Sequence, residues 1–503
     1  MEKKRKEFSL LEVIRMKPRA TQIPLERINN YTWKIPKSYK PGMRVPGIVF
    51  ADEDLLEKMK TDRTLKQLCN ITHLQGIYKY AIVLPDGHEG YGFPIGGVAA
   101  TDREEGVISP GGVGYDINCG VRLLTTNLSE QDIRPKLTEL TDTIFKNVPC
   151  GLGSRRKNFR LTSHQLDRLI TEGAQWIVEQ GLGWSEDIKH CEERGCMELA
   201  NPDKVSAKAK GRGLTQCGTL GSGNHFLEIQ RVDKIYNLQV AKAFGVHHEG
   251  QVTVMIHCGS RGFGHQVCSD YLRVMERAVQ KYNISLPDRE LACAPGTSNE
   301  AEDYYQAMAC AVNYAFANRQ TITYWVRQSF QQVFKSPADK FGLGLVYDVA
   351  HNIAKIEEHK VNGQRRKVWL HRKGATRAFP PGHREVAADY RSLGQPVIIP
   401  GSMGTHSWLL VGAPEAMEVS FGSTAHGAGR TMSRTAAKRK FWGGDVKKSL
   451  KERGIIVRSA SQVILAEEAD PAYKDVDRVV EISDKIGIAT RVARLAPMAV
   501  IKG

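Results

Sequence analysis

The sequence predicts an α+β fold, one large catalytic domain in which mixed or antiparallel sheets are flanked by helices. Three observations carry that expectation. Short β-rich runs ending in glycine-rich turns recur, at residues 80–84 before Pro85-Asp-Gly-His88, at 252–256 before His257-Cys-Gly-Ser-Arg261, and at 396–400 before Gly401-Ser-Met-Gly404. Helical periodicity appears around 130–147, 163–180, 266–282, 301–334 and 432–451. The two kinds of element do not alternate as βαβ units, which argues against a doubly wound parallel sheet. No Ser/Gly-rich or Pro-rich linker and no fixed-period repeat interrupts the 503 residues, so one large unit is expected.

Lys and Arg total 71 against 55 acidic residues, a net charge of +16, and that excess makes a nucleic acid the leading partner. The opening Met-Glu-Lys-Lys-Arg-Lys leads into an amphipathic stretch without the unbroken apolar core of a signal peptide. No run approaches the roughly 18 apolar residues that span a bilayer, so a soluble cytoplasmic protein with no membrane partner is expected. Ten cysteines spread through apolar contexts fit reduced thiols without structural disulfides. His190-Cys-Glu-Glu-Arg-Gly-Cys196 has the look of half a zinc site, but no second ligand pair lies at finger spacing and a surface loop is expected.

Along the chain, the first chemically loaded segment is Ser109-Pro-Gly-Gly-Val-Gly-Tyr-Asp-Ile-Asn-Cys-Gly-Val-Arg122. Asp116 and Cys119 stand three residues apart behind a run of glycines, a hard and a soft ligand that together suit a borderline ion such as Mn²⁺, Co²⁺ or Zn²⁺. Taken alone, such a pair is more commonly a turn-capping Asp beside an inert buried Cys. Three histidines have matching contexts. His225 ends Gly218-Thr-Leu-Gly-Ser-Gly-Asn-His225, and His257 closes a strongly apolar strand. His351 lies where Val346, Val349 and Ile353 have helical spacing, so a long amphipathic helix is expected from Tyr347. Each alone fits a hydrogen-bonded core histidine; jointly, five ligands sharing a Cys119 thiolate would hold two ions close together.

Gly422-Ser-Thr-Ala-His-Gly-Ala-Gly-Arg-Thr-Met-Ser-Arg434 is the second centre. His426, flanked by small residues, is open to an incoming group and suits a general base or a nucleophile toward phosphorus. Arg430, Arg434 and Lys438 follow at i+4 intervals, as three cations along one face of a helix starting near Thr431, for phosphates or simply for solvent. Pro400-Gly-Ser-Met-Gly404 reads as a phosphate nest or a plain turn. If the apolar tail 497–503 packs inward, Lys502 becomes a fixed cation beside a pocket. No Walker A and no dinucleotide GxGxxG pattern is present.

Pro85-Asp-Gly-His-Glu-Gly-Tyr-Gly92, residues 109–122, 218–228 and 257–262, His371-Arg-Lys-Gly-Ala-Thr-Arg377, residues 400–404 and His426-Gly-Ala-Gly-Arg430 together resemble the RtcB family of RNA-splicing ligases. The resemblance covers residues 25–503 as one catalytic domain and leaves 1–24 as a basic leader. It implies joining of RNA 3′-phosphate or 2′,3′-cyclic phosphate ends to 5′-hydroxyl ends, with GTP and two Mn²⁺ ions, through histidine-GMP and RNA-(3′)pp(5′)G intermediates. The RNAs it implies are tRNA exon halves and broken ends, with an archease-type activating protein as a further partner whose need stays open.

By the same resemblance, Asp116, Cys119 and His225 look like the ligands of one metal, with Cys119 shared with a second held by His257 and His351. His426 looks like the guanylylated nucleophile, Asn224 and Ser402 like nucleotide-phosphate contacts, and Phe226, Glu228, Ser407, Tyr473 and Lys502 like a guanine pocket. Arg212, Arg430 and Arg434 are the candidates for RNA phosphates. His406, Trp408 and Cys258 depart from the pattern the family leads one to expect. Two other readings use the same residues: a metal-dependent cyclic phosphodiesterase, and an RNA-binding subunit without ligase activity.

Overall fold

A computed structural model describes residues 23–156 and 159–503; the basic leader, apart from Ile23 and Pro24, lies outside the described residues. Two large sheets organise the chain. The first runs, in spatial order, through Glu26–Asn29, Thr32–Ile35, Gly47–Phe50, Ala81–His88, Ile95–Asp102, Gln364–Lys373 and Asn352–Val361. The second runs through Gly344–Ala350, Gly120–Ser129, Gln251–Cys258, Phe226–Ile235, Ala489–Lys502, Ser407–Gly412 and Pro396–Ile399, with Ile456–Ser459 added beside Ala489–Lys502. Pairing is antiparallel except between Gly47–Phe50 and Ala81–His88 and between Ile456–Ser459 and Ala489–Lys502, so the sheets are mixed and the expected α+β class holds.

The central strands of the second sheet are apolar on both faces because both faces are covered; every residue of Gln251–Cys258 is buried. Much of that cover is Asn299–Phe334, a 36-residue helix whose N-terminus is capped by the Ser298 side chain accepting from the Ala301 N–H. Its middle is buried all round, which explains an alanine-rich sequence with little amphipathic contrast. No helix among the described residues is long and apolar enough to cross a membrane. All ten cysteines are free.

Several expected elements change. The helix expected from Tyr347 does not exist: Gly344–Ala350 and Asn352–Val361 are strands, and His351 sits at the bend between them. A strand buried on both faces loses its two-residue alternation, so apolar spacing there imitates a helix. The 163–180 segment divides at Gly173, whose φ of +64° closes Ser163–Glu172 before Ala174–Glu179 begins. The 432–451 segment is two helices, Arg434–Lys440 and Gly443–Glu452, separated by extended Phe441 and Trp442. Ser433 caps the first of these by accepting from the Ala436 N–H, so Arg430 precedes the helix and only Arg434 and Lys438 share its face.

Candidate active site

Antiparallel pairing places the donors. Cys119 precedes the strand Gly120–Ser129, His225 precedes Phe226–Ile235, His257 lies at the far end of Gln251–Cys258, and His351 follows Gly344–Ala350. In register, Ala350 faces Gly120, Val121 faces His257, and His257 faces Phe226. Two strands starting and two ending at one edge therefore bring four ligands from distant parts of the chain to one spot. Asp116 joins through the three-residue spacing: the Cys119 N–H donates to the Asp116 carbonyl at 3.0 Å, closing a turn that presents both side chains. Asn118 takes the left-handed φ of +51° inside that turn and ties it down by donating from Nδ2 to the Val312 carbonyl at 2.8 Å.

Cys119 Sγ lies 3.5 Å from His225 Nε2 and 3.3 Å from His257 Nε2. His225 Nε2 is 2.8 Å from Asp116 Oδ2, and His257 Nε2 is 3.4 Å from His351 Nε2. The donors form two groups, Asp116 with Cys119 and His225, and Cys119 with His257 and His351, in each of which all ligand atoms lie within 4.8 Å of one another. No other such group occurs among the described residues, and none forms at 190–196.

The electrostatics fit cations. Burial, reinforced by the Asp116 charge, pushes the Cys119 thiol up to about 12. Burial, together with neighbouring histidines, holds His257 and His351 well below the ordinary imidazole value, so both are neutral. For Asp116 and His225, burial opposes ionisation of either, but neighbouring charge wins: His225 holds Asp116 below the usual carboxylate range, and negative charge on Cys258 first, then on Asp116 and Cys119, raises His225 above its usual value. Buried Asp116 Oδ1 and the Nδ1 atoms of His257 and His351 have no hydrogen-bond partner among the described residues. Two neutral imidazoles meeting through Nε2, beside a buried thiol and a carboxylate, are satisfied by metal far better than by one another.

One residue of the long helix braces this edge from behind. Arg319, fully buried, donates from Nη1 to the carbonyls of Asn118 at 2.9 Å and Cys258 at 2.8 Å, and from Nε to Asp348 at 2.9 Å. It thus touches the backbone beside Cys119, the backbone beside His257, and the strand leading to His351. Cys258 lies behind His225, its Sγ 3.7 Å from His225 Nδ1, on the side of the ring away from Nε2, donating to the Leu220 carbonyl at 3.2 Å and accepting from Asn318 Nδ2 at 3.1 Å.

His426 follows the short strand Ser423–Ala425, and its ring lies 4.8 Å from that of His351, centroid to centroid. Its backbone N–H donates to Asp86 Oδ2 at 3.0 Å and its Nδ1 pairs with the same oxygen, which leaves Nε2 for chemistry. Burial would raise Asp86, but His426 and Lys474 outweigh it and keep the carboxylate ionised. The close approach needs Gly374, at φ +59°, where a Cβ would lie 3.1 Å from His426 Cε1 and 2.2 Å from Ile95 Cγ2. Asp86 was not singled out by sequence, although it lies in the quoted Pro85-Asp-Gly-His88 motif; only its contact with His426, 340 residues away, marks it.

These groups open onto one cleft of about 1360 Å³. Asn224, Phe226, Ser402, Tyr473, Lys502, Arg212, Arg430 and Arg434 line it. Glu228 and Ser407 do not. Both are buried behind the wall: Gln230 donates to Glu228 at 2.7 Å, and the Gly401 N–H donates to Ser407 Oγ at 3.1 Å. Burial lifts Glu228 to about 8. The C-terminal strand packs inward, so Lys502 is buried, and its ammonium pairs at 3.3 Å with Glu468, a residue sequence reasoning missed. Burial opposes ionisation of Glu468, but Lys502, Arg434 and Arg430 overcome it and hold the carboxyl at about 2. Arg430 also donates to the Tyr473 hydroxyl at 3.0 Å, so it is a wall residue engaged within the protein rather than a cation on a helix face. His406 and Trp408 both pair with Asp477, at 3.0 and 2.8 Å.

Fold and site together define a metal-holding enzyme in which a carboxylate-oriented histidine stands beside a five-donor centre. A family model described as tRNA-splicing ligase RtcB matches residues 67–503, and the chain belongs to that family. Proteins named tRNA-splicing ligase RtcB from Pyrobaculum aerophilum and Thermococcus kodakarensis are each 59% identical to it, over 483 and 481 residues, covering 96% of this chain and 99% of each relative. One of the same name from Nanoarchaeum equitans is 53% identical over 481 residues, 96% of this chain and all of the relative.

Proposed function

We propose that residues 25–503 act as a GTP- and Mn²⁺-dependent RNA ligase that joins 3′-phosphate or 2′,3′-cyclic phosphate ends to 5′-hydroxyl ends in tRNA splicing and RNA repair. The observation that carries this reading is His426: held through Nδ1 by buried Asp86, it offers Nε2 beside the five metal donors in a cation-lined cleft. Family membership supplies the RNA-joining class.

Asp116, Cys119 and His225 would hold one ion, and Cys119, His257 and His351 a second. Bound there, divalent metal neutralises phosphate oxygens and orients them for displacement. The protein's own groups do the rest. His426 Nε2 attacks the α-phosphorus of GTP, forming an N–P bond as the bond to pyrophosphate breaks. GMP then passes to an RNA 3′-phosphate oxygen, and the 5′-hydroxyl displaces it to close the phosphodiester. Asp86 keeps the imidazole in one orientation and stabilises the positive charge that develops on it. Asn224 and Ser402 would contact the nucleotide phosphate, and Phe226, Glu228, Ser407, Tyr473 and Lys502 would form the guanine pocket; of these, all but the buried Glu228 and Ser407 line the cleft. RNA, including tRNA exon halves, is the partner, and Arg212 and Arg434 face the cleft for its phosphates.

Incubation with Mn²⁺ and GTP labelled at the α-phosphate tests this directly. The expected product is an acid-labile, alkali-stable protein adduct that RNA 3′-phosphate ends discharge. Hydrolysis of cyclic phosphate with no adduct would instead leave a phosphodiesterase.

A further inference from the structure

The donor centre has a second, unassigned flank. Phe226, whose ring meets His257 at 5.3 Å and carries Lys502 over its face at 5.4 Å, lies at the His257 end. At the Asp116 end, the neighbouring residue Tyr115 begins a row of rings that also lines the cleft. Tyr115 stacks on His265, with centroids 5.7 Å apart and planes inclined by 22°, and meets Tyr91 edge to face at 5.5 Å. His265 is exposed and both tyrosines are partly exposed, so the row is presented to the cleft and not sealed into the core.

Cations flank it. Arg212 and Arg261 line the same part of the cleft, Arg212 close enough that a Cβ on Gly262 would lie 3.4 Å from its Cδ. Lys373 Nζ is 6.0 Å from the Tyr91 ring. Arg261 holds a left-handed φ of +57° at the first position of the helix Arg261–Lys281, a strained conformation of the kind that surrounding structure preserves at working sites.

Resting on the RNA-ligase reading, we propose that Tyr91, Tyr115 and His265 form a stacking platform for the terminal nucleoside of a single-stranded RNA end, with Arg212 and Arg261 taking the adjacent phosphate. Rings beside guanidinium groups match the alternation of base and phosphate along an unpaired strand. Stacking accepts every base because each has a π-face, which suits an enzyme that must seal ends of different sequence. The platform adjoins Asp116, so a nucleoside seated on it brings its terminal phosphate or hydroxyl toward the donor centre.

The test is equilibrium binding of short single-stranded RNAs to the full-length protein, using intact RNA and RNAs abasic at either the 5′-hydroxyl or the 3′-phosphate terminus. The wild-type protein should bind intact RNA about tenfold more tightly than one of the two abasic RNAs, the size expected of one stacked base. Tyr115→Leu and Tyr91→Leu should each reduce that preference, whereas Tyr115→Phe should keep it. Equal affinity of wild-type protein for all three RNAs, or an unreduced preference in both Leu variants, overturns the platform and leaves the ligase reading standing. Failure of the wild-type protein to bind RNA at all overturns both.

Discussion

At the scale of single residues, reactivity rests on what buried carboxylates do. Asp86 fixes the imidazole of His426 through one nitrogen and frees the other, so replacing either partner should affect formation of the GMP adduct before any RNA is added. His426→Ala should abolish the adduct. Asp86→Asn, which keeps shape but loses the charge facing the imidazole, should slow its formation by about 10²–10⁴, measured as single-turnover labelling. Glu228 behaves differently because burial lifts it to about 8 and keeps it protonated at neutral pH. If its carboxylate accepts from the guanine edge, it must first lose that proton. Below about 8, GTP affinity should then rise with pH by up to tenfold per unit and level off above it. Calorimetric titration across that range checks this, and Glu228→Gln should flatten the profile.

At the scale of elements, the long helix Asn299–Phe334 does more than cover the sheet. Arg319 reaches from it to the edge where the candidate ligands meet, and Arg319→Met would leave the Asn118 and Cys258 carbonyls buried without this donor and Asp348 with Arg122 as its remaining cation. We expect a loss of about 3–5 kcal/mol in urea unfolding, the cost of breaking a buried charged pair, together with reduced metal content. Sequence could not show this, because Arg319 is separated from Cys119 by 200 residues and looks like any cation on a helix. The ligands were legible for a local reason. Asp116 with Cys119, the glycines before His225, and the apolar run ending at His257 each bear the mark of a turn at a strand end. His351 was legible as a candidate ligand, and the structure groups it with Cys119 and His257, but its setting was not legible, since a doubly buried strand carries no alternation. Arg430 was misplaced because Ser433, the actual cap, lies only two residues beyond the expected helix start. Asp86 and Glu468 act through contacts hundreds of residues apart or within a crowded ion network, and neither leaves a local pattern.

At the scale of the whole molecule, a net charge of +16 surrounds a cleft whose cations are partly engaged by Glu468 and partly open. RNA affinity should fall steeply with salt, with a logarithmic slope of about −0.7 for each phosphate neutralised on a single strand. The two sheets meet around the donor centre, so removing metal should loosen the fold as well as the chemistry. Adding Mn²⁺ at about a hundred times its dissociation constant should stabilise chelator-treated protein by about 2.7 kcal/mol for each ion bound. The most direct measurement is anomalous diffraction at the manganese edge from crystals soaked in Mn²⁺. Two peaks are expected, one within bonding reach of Asp116, Cys119 and His225 and the other of Cys119, His257 and His351, both beside His426. A single peak, or peaks that do not share Cys119, would contradict the two-ion centre on which the proposed reaction depends.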